Sequence, residues 1–153
     1  MKILDACCGS RMFWYERNEP HTTYMDIRKE IIHYKDRQLE RIAEINPDVI
    51  GDFRNMPFPD ATFDLVIFDP PHLIKTGKKS WLAKKYGTLD LMSWKSDIQQ
   101  GFSECLRVLN PNGVLLFKWN EDQIPFKEVL KVIPKRPILG DKKSKTKWSV
   151  FIK

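Results

Sequence analysis

Residues 66–72 read Val-Ile-Phe-Asp-Pro-Pro-His, an apolar run that ends abruptly in a carboxylate and two prolines. Proline lacks a backbone N–H and fixes its own φ, so the prolines stop the strand that this run predicts. At the tip of that strand, the Asp69 carboxylate and the Pro70 carbonyl can converge as two hydrogen-bond acceptors. Such a pair suits a planar amine that must give up its conjugation to become a nucleophile.

The amino terminus predicts a second strand of the same sheet. Ile3-Leu4 leads into the small residues of Asp5-Ala6-Cys7-Cys8-Gly9-Ser10. A strand that ends in small residues presents backbone N–H groups where open α/β sheets bind ligands. Asp26 follows another strand about 20 residues after Asp5, the spacing at which such folds place a carboxylate on ribose hydroxyls. Asp52-Phe53 follows a third strand, so acidic residues recur along one edge of the predicted sheet.

The hydrophobic pattern predicts an α/β fold. Strands are expected near 2–6, 22–25, 48–51, 63–68, 113–119, 137–140 and 146–152. Helices are expected near 11–16, 36–45, 80–86, 93–108 and 125–132. Alternating strands and helices are typical of a mostly parallel sheet with helices on both faces. The last strand alternates with lysines and is expected to pair antiparallel with 137–140.

Length and composition predict one globular domain, 1–153, because 42% of the 153 residues are hydrophobic. No apolar run reaches membrane length, and no signal peptide is expected before the first strand. Three cysteines, Cys7, Cys8 and Cys105, favour a reducing compartment and a cytoplasmic location. Metal-ligand spacing is absent, so no metal is expected. The part of the sheet beside the first strand is expected to lack a covering helix. It is expected either to be covered by a second subunit in a homodimer or to be short.

The formal net charge of +6 is unevenly distributed. Residues 1–71 carry 9 basic and 13 acidic side chains, whereas residues 72–86 carry 5 lysines and no acid. The second segment interleaves lysines with aromatic rings, which indicates contact with a polyanion and stacking on bases. Its candidate substrate-binding residues are Lys75, Lys78, Lys79, Trp81, Lys84, Lys85 and Tyr86.

The chain resembles the class I S-adenosylmethionine-dependent methyltransferases. Asp5-Ala6-Cys7-Cys8-Gly9-Ser10 is similar to the Asp-Pro-Phe-Cys-Gly-Ser-Gly cofactor loop of enzymes that methylate exocyclic amines of nucleobases. Asp69-Pro70-Pro71-His72 is similar to their (Asp/Asn/Ser)-Pro-Pro-(Tyr/Phe/Trp) catalytic motif, and residues 58–66 form a common lead-in to the fourth strand. The likeness is greatest to short enzymes of phage and mobile-element type. Arg11 replaces the third loop glycine, and His72 replaces the aromatic residue.

The resemblance implies a Rossmann-like, seven-stranded sheet with an antiparallel last strand. It implies S-adenosylmethionine as cofactor and S-adenosylhomocysteine as product. The cofactor would be bound by Asp5, Ala6, Cys7, Cys8, Gly9, Asp26, Asp52, Phe53 and Asp69. The catalytic group would be Asp69, Pro70, Pro71 and His72, with Asp69 and the Pro70 carbonyl holding both amine hydrogens.

The predicted acceptor is an exocyclic nucleobase amine, with adenine in DNA as the leading hypothesis. A base in duplex DNA must be flipped out to reach such a pocket. The alternatives are an RNA base, a protein glutamine, or a non-catalytic relative that binds cofactor or nucleic acid. DNA is expected as partner ahead of RNA, and no membrane is expected.

Overall fold

The computed structural model describes residues 1–36, 38–77 and 80–153. Its strands are β1 (Ile3–Asp5), β2 (Thr22–Asp26), β3 (Glu30–Asp36), β4 (Leu39–Ile45), β5 (Val49–Ile50), β6 (Phe63–Phe68), β7 (Leu109–Asn120), β8 (Leu139–Gly140) and β9 (Thr146–Ile152). Its helices are α1 (Trp81–Tyr86), α2 (Trp94–Val108) and α3 (Phe126–Val129). In the described parts of the chain, no helix is long and apolar enough to cross a membrane.

Seven strands form one sheet in the order β5, β2, β1, β6, β7, β9, β8. β1 pairs in parallel with β2 and β6, and β6 pairs in parallel with β7. β9 runs antiparallel to both β7 and β8. The predicted mostly parallel sheet with an antiparallel last strand is therefore confirmed. The parallel strands bring the chain segments after β1, β2, β5 and β6 to one edge, where such sheets bind ligands.

The core lies between the sheet and two helices on the same face. Phe117 of β7 packs edge-on against Phe102 of α2 and also contacts Phe126 of α3. Phe102, Phe117 and Phe151 are completely buried. Burying a side chain of this size contributes about 1.5–3 kcal/mol. The predicted helix 93–108 is thus confirmed, since its apolar stripe is the surface that covers the sheet.

The opposite face of the sheet carries no helix among the described residues. The loop after β1 covers it instead: Phe13 packs edge-on against Trp148, and Trp14 against Tyr24. Leu116 of β7, which the loop does not cover, is only half-buried. The expectation of helices on both faces is therefore confirmed on one face only. A helix is absent there because residues 11–16, predicted as helical, form turns in which Trp14 N–H donates to the Arg11 carbonyl.

The predicted helix 36–45 is wrong. The described residues there belong to a hairpin in which β3 and β4 pair antiparallel. Helix-forming residues such as Glu40 and Ala43 suggested a helix, but tertiary packing overrides propensity. Ile32, Ala43 and Ile45 lie on one face of the hairpin and are buried there. The missed signal was the β-branched run at the start of β3, Glu-Ile-Ile-His-Tyr.

Two further boundaries differ from prediction. The helix expected at 125–132 is the shorter α3, because turns replace helical bonding after Val129. The strand expected at 113–119 begins at Leu109, directly after α2. Its pairing with β6 is irregular between Phe63 and Leu65, so Asn110-Pro111-Asn112-Gly113 is a distorted stretch of β7.

Candidate functional site

A cavity of about 580 Å³ opens at the carboxyl ends of β1, β2, β5 and β6. This size is typical of small-ligand sites, which span roughly 300–1,000 Å³. Most of the site residues predicted from the sequence line this cavity: Ala6, Cys7, Cys8, Gly9, Asp26, Asp52, Phe53, Asp69, Pro70, Pro71, His72, Lys85 and Tyr86. The sheet topology thus brings together segments that are far apart in the chain.

Asp5 lies beneath the cavity and is completely buried. Its carboxylate accepts hydrogen bonds from Trp14 Nε1–H at 2.8 Å and from Cys7 N–H at 3.3 Å. Burial raises the pKa of Asp5 to about 7, with smaller contributions from the charges of Asp69 and Asp26, while the Trp14 bond opposes the rise. Asp5 therefore supports the loop after β1 from below and does not face the cavity.

The loop after β1 is fastened to β2 through Asp26. Gly9 N–H donates to one Asp26 carboxylate oxygen at 2.9 Å, and Arg28 N–H donates to the other at 3.0 Å. Gly9 has a φ of +49°, and a Cβ added there would meet no atom within 4 Å. Its backbone is therefore left open to the cavity, which suits a close approach by a ligand.

Arg11 stands where the similar cofactor loop has its third glycine, and it adopts a backbone conformation that glycine favours. Its φ of +54° is the left-handed conformation that glycine would adopt readily. Its guanidinium lies 3.7 Å from the centre of the Tyr24 ring and donates hydrogen bonds to the carbonyls of Arg17 and Asn46. The side chain thereby anchors the loop to β2 and to the segment before β5.

Charged side chains fasten the far wall of the cavity. Arg54 donates to both oxygens of Asp52 and bridges to Asp97 on α2 at 3.1 Å. The hydrogen bonds from Arg54 lower the pKa of Asp52. Phe53 packs against Phe68, and a Cβ on Gly101 of α2 would overlap the Phe53 ring. Gly101 therefore permits the close approach that holds Phe53 at the wall.

Asp69 is paired with a residue that sequence reasoning did not select. Lys118 Nζ of β7 donates to Asp69 Oδ2 at 2.6 Å, and both side chains are only 21% exposed. The ammonium also lies 5.2 Å from the Phe13 ring centre and 5.6 Å from that of Trp148. Burial raises the pKa of Asp69, and the charge and hydrogen bond of Lys118 oppose that rise. Within the described residues, Asp69 Oδ1 has no hydrogen-bond donor.

His72 forms the wall beside Asp69. Its ring lies 6.2 Å from the ring of Tyr86 and 6.4 Å from that of Trp119. Burial first, and the charge of Lys118 second, lower the pKa of His72. The lowered pKa favours the neutral imidazole, which offers an uncharged planar surface next to the carboxylate.

Several predicted substrate-binding residues lie away from the cavity. Lys75, Trp81 and Lys84 do not line it, and Lys78 and Lys79 fall outside the described residues. Trp81 instead stacks on Tyr34 of β3, with ring centres 5.6 Å apart. The part of the chain that the structure describes contains no cluster of three residues that could hold a metal ion.

Lys118 and Arg54 line the cavity, and the motifs did not select either of them. Lys118 had one detectable signal, since it is a charged residue between Phe117 and Trp119 in a strand of apolar residues. Arg54 had none, because its partner Asp97 comes from a helix more than 40 positions later. Only the folded chain brings either pair together.

Comparison with known proteins identifies the class of fold. No family model matches the chain. A malonyl-[acyl-carrier protein] O-methyltransferase from Serratia marcescens is 27% identical over 119 residues, which cover 76% of this chain. The chain spans only 37% of the length of that relative.

Two solved structures show the same architecture. A protein from Pyrococcus horikoshii OT3 superposes with a TM-score of 0.58 at 18% identity, covering 99% of this chain and 82% of the other. The 1,6-didemethyltoxoflavin-N1-methyltransferase of Burkholderia thailandensis, solved with S-adenosylhomocysteine, gives a TM-score of 0.54 at 11% identity and covers 99% and 70%. The chain therefore has the Rossmann-like fold of class I methyltransferases.

Proposed function

We propose that this chain is one S-adenosylmethionine-dependent methyltransferase domain, 1–153, which methylates an exocyclic amine of a nucleobase, with adenine in DNA as the leading acceptor. The observation that carries the proposal is Asp69, which lines a cavity of about 580 Å³ at the carboxyl edge of the sheet and whose Oδ1 accepts no hydrogen bond from the described residues. The methyltransferase fold and the S-adenosylhomocysteine bound to the Burkholderia enzyme support S-adenosylmethionine as the cofactor.

The residues of the cavity fit that cofactor. The open backbone at Gly9 suits the methionine part, Asp26 the ribose hydroxyls, and Phe53 the face of the adenine. Asp52, which already accepts from Arg54, would also accept a hydrogen bond from the adenine amine. The carboxylates of Asp26 and Asp69 on the cavity lining suit a sulfonium cation. When bound, the cofactor supplies an electrophilic methyl group.

The chain's own residues would hold the nucleophile. Asp69 Oδ1 and the Pro70 carbonyl accept hydrogen bonds from the two amine hydrogens. These bonds turn the lone pair of the amine out of conjugation with the ring. Lys118 holds the other Asp69 oxygen, so the carboxylate keeps one orientation and its ionised form is stabilised. The neutral His72 packs against the base. Gly87 packs closely against Pro71, since a Cβ added at Gly87 would lie only 3.2 Å from the proline ring.

A second candidate acceptor is a carboxylate. The Serratia relative is named as an O-methyltransferase of malonyl-[acyl-carrier protein], and the Lys118 ammonium beside the cavity would attract an anionic acceptor. The paired Asp69 argues against it, because a second carboxylate would have to displace Asp69 from Lys118 at 2.6 Å. An RNA base, a protein glutamine and a non-catalytic role stay as further alternatives.

One experiment separates these acceptors. The protein is incubated with S-adenosylmethionine carrying a labelled methyl group and, in parallel, with DNA, RNA, a glutamine-containing protein mixture and malonyl thioesters. Mass spectrometry of the digested products is expected to find labelled methyladenine in the DNA. Label only in the thioester would replace the proposal with the carboxylate candidate, and cofactor binding without transfer would favour the non-catalytic role.

Replacing Lys118 with methionine is expected to move the acid limb of the pH–rate profile upward by about one unit. Burial already raises the pKa of Asp69, and the variant removes the charge that opposes the rise. Less Asp69 is then ionised at a given pH, so the loss should grow toward the acid end of the profile, to about tenfold at most, and vanish toward the alkaline end. Initial rates from pH 5.5 to 9.5 measure the shift.

The matched control for this shift is Lys118→Arg, which keeps a cation beside Asp69 and should restore the wild-type profile. Lys118→Met also removes a charge that lowers the pKa of His72, whereas Lys118→Arg keeps a cation beside both groups. An equal loss at every pH in Lys118→Met would assign Lys118 to packing alone.

The expected partners and location belong to the same proposal. DNA is the proposed polymer, with no membrane involved, and the half-buried Leu116 face of the sheet suits a second copy of the chain as a homodimer. A cytoplasmic location accords with Cys7, Cys8 and Cys105, all of which are free thiols.

A further inference from the structure

A second concave surface lies outside the cavity, between the β3–β4 hairpin and α1. It encloses about 570 Å³. Its walls carry His33, Lys35 and Arg41 from the hairpin, Lys84 from α1, and the aromatic pair Tyr34 and Trp81. We name it the hairpin groove. The sequence analysis selected Trp81 and Lys84 but missed the hairpin wall, because residues 36–45 were predicted as a helix.

Positive charge dominates the hairpin groove. Lys35, Arg41 and Lys84 are exposed cations. The acid on the same lining is Glu40, whose side chain is 85% exposed and lies 4.0 Å from Lys35. A pair so exposed contributes little, so both of its members can rearrange around a ligand. The excess of cations over acids suits the phosphates of a polyanion.

Aromatic rings accompany these cations. Tyr34 and Trp81 stack with an interplanar angle of 6°, and Lys85 Nζ lies within 5.9 Å of both ring centres. The stack fixes the orientation of α1 against the hairpin. Flat rings beside mobile cations are the combination that proteins use to bind nucleic acid strands, because phosphates meet the cations and bases meet the rings.

The hairpin groove is joined to the cavity through α1 and Arg28. Arg28 donates to the carbonyls of Lys84 and Lys85 at 2.7 and 3.4 Å, and to Asp26 in the cavity. Lys85 and Tyr86, at the end of α1, line the cavity. Since α1 has six residues, it spans about 9 Å. The groove and the cavity therefore lie within reach of one nucleic acid strand.

We propose that the hairpin groove binds the sugar-phosphate backbone of a nucleic acid strand beside the nucleotide whose base enters the cavity. The inference rests on the proposed function and names the polymer-binding surface that it requires. It gives the β3–β4 hairpin the role of a substrate-recognition element in this chain.

The test measures binding of a fluorescently labelled, adenine-containing DNA oligonucleotide by anisotropy. The double variant Lys35→Glu/Arg41→Glu is expected to bind at least about tenfold more weakly than wild type at roughly 0.1 M salt. Lys84→Glu, on the opposite wall, should weaken binding in the same direction. The control Lys127→Glu/Lys143→Glu reverses two exposed lysines elsewhere and matches the charge change of the double variant. It should bind like wild type.

Each outcome decides the proposal. Equal weakening by the groove variant and the matched control would overturn it, as would wild-type binding by both groove variants. If the wild-type protein does not bind the oligonucleotide but sediments with phosphatidylserine vesicles, the proposal is overturned and the groove is assigned to a membrane surface. Thermal melting of every variant separates lost contacts from lost folding, because the substituted side chains are exposed.

Methyl transfer distinguishes this proposal from the proposed function. The groove variant should lose transfer to the oligonucleotide at limiting concentration and keep transfer to a mononucleotide, which reaches only the cavity. Groove-dependent binding without methylation of any base would leave the groove assigned and reject the proposed function. If a mononucleotide is methylated but the groove contributes nothing to oligonucleotide binding, the proposed function is supported and the role of the groove is rejected.

Discussion

Asp69→Ala is expected to lower methyl transfer by about a thousandfold while S-adenosylmethionine still binds. The variant removes the acceptor oxygen that would hold the amine hydrogen, and removing one preorganised partner of a reacting group costs about 10²–10³ in rate. It leaves in place the cofactor loop at Gly9 and the far wall at Asp52, which lie elsewhere on the cavity. Single-turnover transfer and calorimetric cofactor binding measure the two effects separately.

The control for Asp69→Ala must account for Lys118, which loses its partner at 2.6 Å. The double variant Asp69→Ala/Lys118→Met removes the stranded ammonium. It should regain thermal stability without regaining transfer. Asp69→Asn keeps one acceptor oxygen and is expected to fall between wild type and alanine. Transfer by Asp69→Ala at the wild-type rate would reject the assigned mechanism.

Asp5→Asn is expected to abolish a pH dependence of stability worth about 4 kcal/mol. The ordinary pKa of an aspartate is 3.8, and burial raises that of Asp5 to about 7 in the folded chain. The folded state therefore binds the Asp5 proton more tightly than the unfolded state does. The contribution of Asp5 is fully present below about pH 4 and is lost as the pH rises to about 7. Urea unfolding from pH 4.5 to 8, without cofactor, measures the difference between variant and wild type.

Two further variants check this assignment to Asp5. Asp60→Asn removes an exposed carboxylate and should follow the wild-type pH dependence. Trp14→Phe removes the Nε1–H donor that opposes the rise in the pKa of Asp5, so the loss of stability should extend to higher pH. A difference between Asp5→Asn and wild type that stays constant with pH would show that Asp5 is ionised throughout that range.

Local patterns were sufficient for the strands that form the sheet. β6 was predicted at its observed bounds because a short apolar run that ends before Pro70 and Pro71 indicates a strand that cannot continue. The carboxylates after β1, β2, β5 and β6 were placed correctly at one edge for a topological reason. Parallel strands end at the same edge whatever their side chains do.

Helices were harder to predict where packing competed with propensity. Residues 36–45 contain good helix formers, yet Ala43 and Ile45 are buried on the hairpin face that also carries Ile32. Residues 11–16 carry no strong breaker, yet Arg11 takes a positive φ because its guanidinium binds Tyr24 and two distant carbonyls. In both segments, contacts with remote residues determine the backbone.

The amino-acid order by itself determined the strand sequence, the class of fold and the carboxylates at the binding edge, because these depend on periodicity and on where each strand stops. The tertiary structure alone decided that Lys118 pairs with Asp69, that Asp5 is buried beneath the cavity, and that the hairpin forms a basic groove beside α1. Pairing and burial depend on distances between residues far apart in the chain. Those distances exist only once the sheet has assembled.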